Sequence, residues 1–238
     1  MMLKQEFTLK SPLRILQKAT QGGLGKGNLG VFMARAGVGK TACLIHIALD
    51  SLFKHQKVVH VGIGESVDKI LIWYDEILSD LFRVFNIKDP EKIRGELERS
   101  RIILSYTKEA FTVKNLIRDL GDLAGDGNFS PDVLLIDGFD FENEDTGWDS
   151  LAAFKHVAQE RNAEIWFSAR THRESQIKNE RGIPAPCHDL DDLFSVIVFL
   201  EPEGSVIHFK LLKDHENPVD QELPIRLDPQ TMLLVDEE

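Results

Sequence analysis

Cysteine is scarce in this chain: Cys43 and Cys187 are the only two among 238 residues, too few for a disulfide framework. That scarcity fits a reducing compartment. No uncharged apolar run approaches the roughly 18 residues that a membrane-spanning helix requires. The opening MMLKQEFTLK has neither an apolar core segment nor a small-residue cleavage site, so no secretion signal is legible there. These absences lead to the expectation of a soluble, cytoplasmic protein without membrane contact. Positive charge is in deficit, with 28 Lys and Arg against 39 Asp and Glu and a formal net charge of -11. A field of that sign repels polyanions, so bulk electrostatics do not drive binding to nucleic acid or to an anionic membrane. Internal repeats and Pro/Ser-rich linkers are missing too, which argues for a single domain over 1–238, with 1–20 as an N-terminal extension.

What the chain does have is a globular mix of 42% hydrophobic and 28% charged residues. Strand candidates lie at 30–34, 57–63, 101–105, 132–137, 164–169, 195–200 and 206–212. Most are continuously apolar, the pattern of strands covered by helices on both faces. Helical periodicity fills 40–53, 66–85, 89–100, 112–123 and 148–161; in the second, Ile70, Leu71, Tyr74, Ile77, Leu78 and Leu81 form a core-facing stripe. The strand–helix alternation predicts an α/β fold: a mostly parallel sheet with helices on both faces and a C-terminal antiparallel hairpin. Pro202 and Gly204 in EPEG read as that hairpin's turn.

The most informative stretch is ARAGVGKTA, residues 34–42, between a strand and a helix. It follows the phosphate-loop spacing G-x-x-x-x-G-K-S/T, with Ala34 in place of the first glycine. Gly37 and Gly39 permit backbone turns that aim successive N–H groups at a phosphate, and the helix beginning there adds its dipole. Ala36, Gly37, Val38, Gly39, Lys40, Thr41 and Ala42 are therefore the expected cradle for ATP. Lys40 supplies a point charge to the terminal phosphates, and Thr41 a hydroxyl ligand for Mg²⁺. A glycine turn that merely precedes Lys-Thr is the bland alternative. The earlier GGLGKG, residues 22–27, lacks Ser or Thr after Lys26 and precedes a strand, so it reads as a mobile turn.

PDVLLIDGFD ends an apolar strand at Asp137, whose carboxylate could hold the water shell of Mg²⁺; capping of the next turn is the alternative. After the second strand, VGIGES presents Glu65. If that strand lies beside the loop strand, Glu65 could activate a water; equally, it could stabilise the N-terminus of the following helix.

Taken together, the loop, the position of Glu65, the acidic strand end at Asp137 and the terminal hairpin resemble the RecA-like P-loop ATPases, nearest to the KaiC and DnaB-helicase branch. GGLGKGNLGVFMA is similar to that branch's lead into the loop strand. The resemblance covers about residue 22 to the C-terminus and implies ATP hydrolysis with Lys40 and Glu65 catalytic, Glu65 as the base. It implies that Ser168, Arg170 or Thr171, at the end of EIWFSARTHR, senses the γ-phosphate. It also implies a homo-oligomer, of which a hexamer is one form, in which a Lys-x-Arg reaches the neighbour's nucleotide. Here Lys213 matches and His215 replaces Arg, which weakens that expectation because imidazole is mostly neutral at pH 7 and lacks the bidentate fork. A solvated Lys213 is the other reading.

Three rival functions remain at this level: a nucleotide-binding scaffold with little hydrolysis, a DNA-dependent ATPase, and a small-molecule kinase, the last disfavoured by the lack of an Arg-rich lid. Against nucleic acid stands the loop after Asp137, which carries Asp140, Glu142, Glu144, Asp145 and Asp149 and no basic residue. The stretch from Arg170 to Gly182 is mixed, with Arg170, Arg173, Lys178 and Arg181 against Glu174 and Glu180, and reads as a solvated loop. Cys187, His188, Asp189, Asp191 and Asp192 lack ligand spacing for a metal.

Overall fold

Strands without hydrophobic alternation need cover on both faces, and the computed structural model provides it. It describes residues 11–20, 22–125, 127–142, 147–172 and 177–236. The helices are α1 (Leu13–Ala19), α2 (Lys40–Phe53), α3 (Val67–Val84), α4 (Pro90–Glu98), α5 (Val113–Gly125) and α6 (Gly147–Glu160). The strands are β1 (Leu29–Ala34), β2 (Val58–Ile63), β3 (Arg101–Tyr106), β4 (Val133–Asp137), β5 (Glu164–Arg170), β6 (Val196–Glu203), β7 (Val206–Asp214), β8 (Asn217–Leu227) and β9 (Leu234–Asp236). They form one nine-stranded sheet in the order β3-β2-β4-β5-β1-β6-β7-β8-β9. The pairs from β3 through β6 are parallel, and those from β6 to β9 antiparallel.

Each parallel strand feeds two cores. In β1, Phe32 joins the core under α1 to α4, while Val31 and Met33 join the one under α5 and α6. The predicted stripe of α3 is the buried one: Ile70, Tyr74, Ile77, Leu78 and Leu81. Ser66 caps this helix by accepting from the Lys69 N–H at 3.3 Å, and Pro90 opens α4, where its missing donor costs nothing.

Two corrections concern the C-terminal part and the strand order. The antiparallel part is more than a hairpin. β6 runs on through Pro202, which pairs with Ile207, so the turn lies beyond it, at Gly204, with φ 59. β8 and β9 then extend the sheet. NPVDQELPIRL is not among the strand candidates, and its prolines and charges disfavour a strand, yet Leu223, Ile225 and Leu227 are all buried in one core. Pro224 is tolerated because the β7–β8 register shifts between His208 and Phe209, leaving residues 224 and 225 in a bulge. Nor does β2 lie beside β1. β4 and β5 stand between them, although the common parallel direction still brings their C-terminal ends to one edge.

No helix among the described residues is long and apolar enough to cross a membrane.

Candidate functional site

The chemistry-bearing residues collect at the C-terminal edge of the parallel strands, around a cleft of about 850 Å³. Ala36, Lys40, Thr41, Glu65, Asp137, Ser168 and Arg170 all line it. The loop after β1 needs both of its glycines: Gly37 has φ 77 and Gly39 φ 105, conformations that side chains rarely adopt. A Cβ on Gly39 would also come closer than 3.0 Å to the Leu227 side chain of β8, whereas one on Gly37 would meet nothing within 4 Å. Ala34, where a glycine was expected, is buried at the end of β1 and is not among the positive-φ residues, so alanine costs nothing there. Of the other loop residues, Ala36 is exposed, while Val38 and Ala42 turn their side chains into the core and present only backbone outward.

α2 starts at this loop with no side chain capping its N-terminus and no acid in its first turn, so no residue of its own first turn offsets its dipole. Lys40 folds back over the loop, donating from Nζ to the carbonyls of Ala34 at 3.1 Å and Arg35 at 2.9 Å. Burial pushes its pKa below the usual lysine value; Asp137 opposes this and Arg170 adds to it.

At the centre is Asp137. The Thr41 hydroxyl donates to its Oδ2 at 2.6 Å, and the Ser168 hydroxyl donates to its Oδ1. The strand order explains the meeting. β5 lies between β1 and β4, and Ser168 sits opposite Phe32 of β1. The Gly138 N–H donates to Ser168 Oγ at 3.3 Å, and Gly138, with φ 87, packs against the Ile63 carbonyl too closely to admit a Cβ. Arg170 ends β5, exposed at the cleft. Thr171 is different: buried, its N–H donating to the Ala34 carbonyl at 2.9 Å, it ties β5 to β1.

Glu65 is fixed through its backbone. The Gly64 N–H donates to the Tyr106 carbonyl at 2.8 Å, and the Ser105 hydroxyl donates to the Glu65 carbonyl at 2.6 Å. Its carboxylate pairs with Lys69 at 2.7 Å. Lys69, Trp73, Lys108 and Phe111 also line the cleft. No motif marks them; only the crossing of α3 and the turn after β3 brings them there.

Several residues do not join the site. Lys213, a solvated or trans-acting lysine in the sequence reading, is neither exposed nor near this edge. It is buried at the start of the parallel strands, opposite Ile197, with Nζ donating to the Asp191 carbonyl at 2.6 Å. Burial lowers its pKa, and the nearby Asp191 and Asp192 oppose that shift. His215 pairs with Asp214 at 2.7 Å. The turn at residues 22–27 is bonded at its end to residues that precede β4 and β5. Lys26 Nζ donates to the Asp132 carbonyl at 2.9 Å, and the Gly27 N–H to the Ala163 carbonyl at 2.9 Å, both before their strands begin.

Glu144, Asp145, Arg173 and Glu174 lie outside the described residues. In the rest of the second loop, Arg181 is committed to Asp191 at 2.8 Å and Asp192 at 2.5 Å, which thins the basic strip. No group of three or more His, Cys, Asp or Glu side chains able to enclose a metal is present among the described residues. A cation at Thr41 and Asp137 would thus take most of its ligands from water and phosphate, the habit of Mg²⁺.

No protein-family model matches the sequence, and a search of curated proteins gives no significant match.

Proposed function

We propose that this chain binds Mg·ATP and hydrolyses it, as a RecA/KaiC-like P-loop ATPase with a regulatory role. The observation that carries this reading is the 2.6 Å contact between Thr41 and Asp137, 96 residues apart in sequence and beside an uncapped glycine-led helix. A hydroxyl and a carboxylate in contact at that position are the two protein ligands a phosphate-bound Mg²⁺ requires, and bound Mg²⁺ would offset charge on the phosphates. The backbone N–H groups from Ala36 to Ala42 receive the phosphate oxygens. Lys40 exchanges its two carbonyl acceptors for the terminal phosphates, and its lowered pKa reflects a site that strengthens electrostatic contacts. Ser168 holds Asp137 in place, and Arg170 faces the γ-phosphate. Glu65 accepts the proton of the attacking water as the bond from the γ-phosphorus to the ADP oxygen breaks.

A second reading, binding without useful hydrolysis, is favoured by the Glu65–Lys69 pair at 2.7 Å, because that carboxylate is turned to an ammonium and would have to leave it to reach a water. Self-assembly belongs to the proposal through the resemblance alone. With Lys213 buried, another cation would have to serve a neighbouring copy's nucleotide.

The test is phosphate release and ATP affinity measured on the parent and on Glu65→Gln. Loss of a general base costs about 10²–10⁴ in rate with little change in affinity. Binding without release in the parent moves the assignment to the scaffold; equal rates in parent and variant remove Glu65 from its role.

A further inference from the structure

The cleft extends well past the corner where terminal phosphates would sit. From the glycine loop and α2 only Ala36, Lys40 and Thr41 reach its wall, while its outer half runs across the ends of β2 and β3 beneath Lys69, Trp73, Lys108 and Phe111. We propose that this outer half is a separate binding site for a small organic anion, a carboxylate carried on a flat apolar body.

Lys108 is the first reason. Its stem lies along Gly64, with Cε 3.3 Å and Cγ 3.5 Å from where a Cβ would stand, so the absence of a side chain at 64 makes room for it. Lys108 makes no hydrogen bond or ion pair within 4 Å among the described residues, its charge being felt by Glu109 next to it in the chain. Lys69, the second cation, has Glu65 as its partner in an exposed pair that an incoming carboxylate can enter. Of the two ammonium groups at this end, Lys69 is paired with Glu65, and Lys108, beside its chain neighbour Glu109, is left to meet a ligand's carboxylate. The acids Asp137, Asp140 and Glu142 line the cleft too, with Lys40 and Arg170 among them. Asp137 accepts from Thr41 and Ser168, Asp140 Oδ1 accepts from the Glu142 N–H at 3.1 Å, and Glu142 lies 3.0 Å from His172.

The second reason is the apolar wall. Trp73 and Phe111 are half-buried, and edge contacts hold Phe111 against Tyr106 at 5.6 Å and Phe139 at 6.3 Å. A bare inorganic anion has no use for such a surface, whereas a ring or hydrocarbon beside a carboxylate uses both halves of it. The site stands on this cavity and not on the nucleotide reading, and its test runs without nucleotide.

Trp148 is exposed and Trp166 buried, so a Trp148→Phe background leaves Trp73 as the tryptophan at the cleft. Titration with phenylacetate should give a saturable change in tryptophan emission that Trp73→Phe abolishes. Phenylacetamide, without the charge, and acetate, without the ring, should bind at least about tenfold more weakly, as should Lys108→Met. Lys69→Met offers the same comparison if Lys108→Met folds poorly. No saturation below about 10 mM, a response surviving Trp73→Phe, or equal binding of phenylacetamide or by the lysine variants would overturn the proposal.

Discussion

Replacing Gly39 by alanine tests whether the glycine loop is fixed by its own backbone or by the strand packed against it. Gly39 has φ 105 and Gly37 φ 77, so alanine at either position meets the left-handed penalty, about 1–2 kcal/mol. Their surroundings differ. A Cβ at 37 faces open space, while one at 39 runs into the Leu227 side chain and comes within 3.8 Å of Met232 Sδ. Forcing a methyl into a packed site costs about 1–3 kcal/mol more. Gly37→Ala should therefore lose about 1–2 kcal/mol and Gly39→Ala about 2–5 kcal/mol, a large part of a typical domain's stability. The assay is urea denaturation at pH 7 without nucleotide. Leu227→Ala supplies the control: combined with Gly39→Ala it should cost less than the two single changes added together, by the packing share of the penalty. Equal losses at 37 and 39, or strict additivity with Leu227→Ala, would refute the claim that β8 pins the loop.

Lys40→Ala should lose most ATP affinity by calorimetry while the unfolding midpoint without nucleotide shifts little, since the ammonium contacts only loop carbonyls at 3.1 and 2.9 Å. Phosphate release should not respond to single-stranded DNA, given the net charge of -11; a several-fold stimulation or sub-micromolar binding near physiological salt would reverse that. His46 gives a pH test. Burial holds its pKa down at about 4, against the usual 6.5, while its Nε2 lies 2.8 Å from the Met232 carbonyl. A depressed folded-state histidine contributes its full stability above pH 6.5 and loses it as pH falls toward 4. Between pH 7 and 5 this should amount to about 2 kcal/mol, read as the difference in slope between parent and His46→Gln. Parallel slopes would remove His46 from the account.

Sequence alone determined the local features. Gly39, Lys40 and Thr41 sit at fixed spacing between an apolar strand and a helix, and α2 occupies the predicted span because its periodicity and the preceding glycine act within a few residues. Asp137 was legible for the same reason, as an acid ending a continuous apolar run. Glu65 was legible as a candidate on the condition that its strand lay beside β1, and β4 and β5 stand between the two. Strand order depends on which faces are covered by distant helices, a choice no local pattern encodes. The tertiary structure decided that Ser168 meets Asp137, because β5 lies between β1 and β4. It also decided that β8 exists despite its prolines, since burial of Leu223, Ile225 and Leu227 and a bulge at Pro224 outweigh weak local propensity. Lys213 shows the limit most clearly. Its neighbours in sequence read as a solvated strand end, but a carbonyl 22 residues away accepts its proton in the interior, and only folding brings that partner within reach.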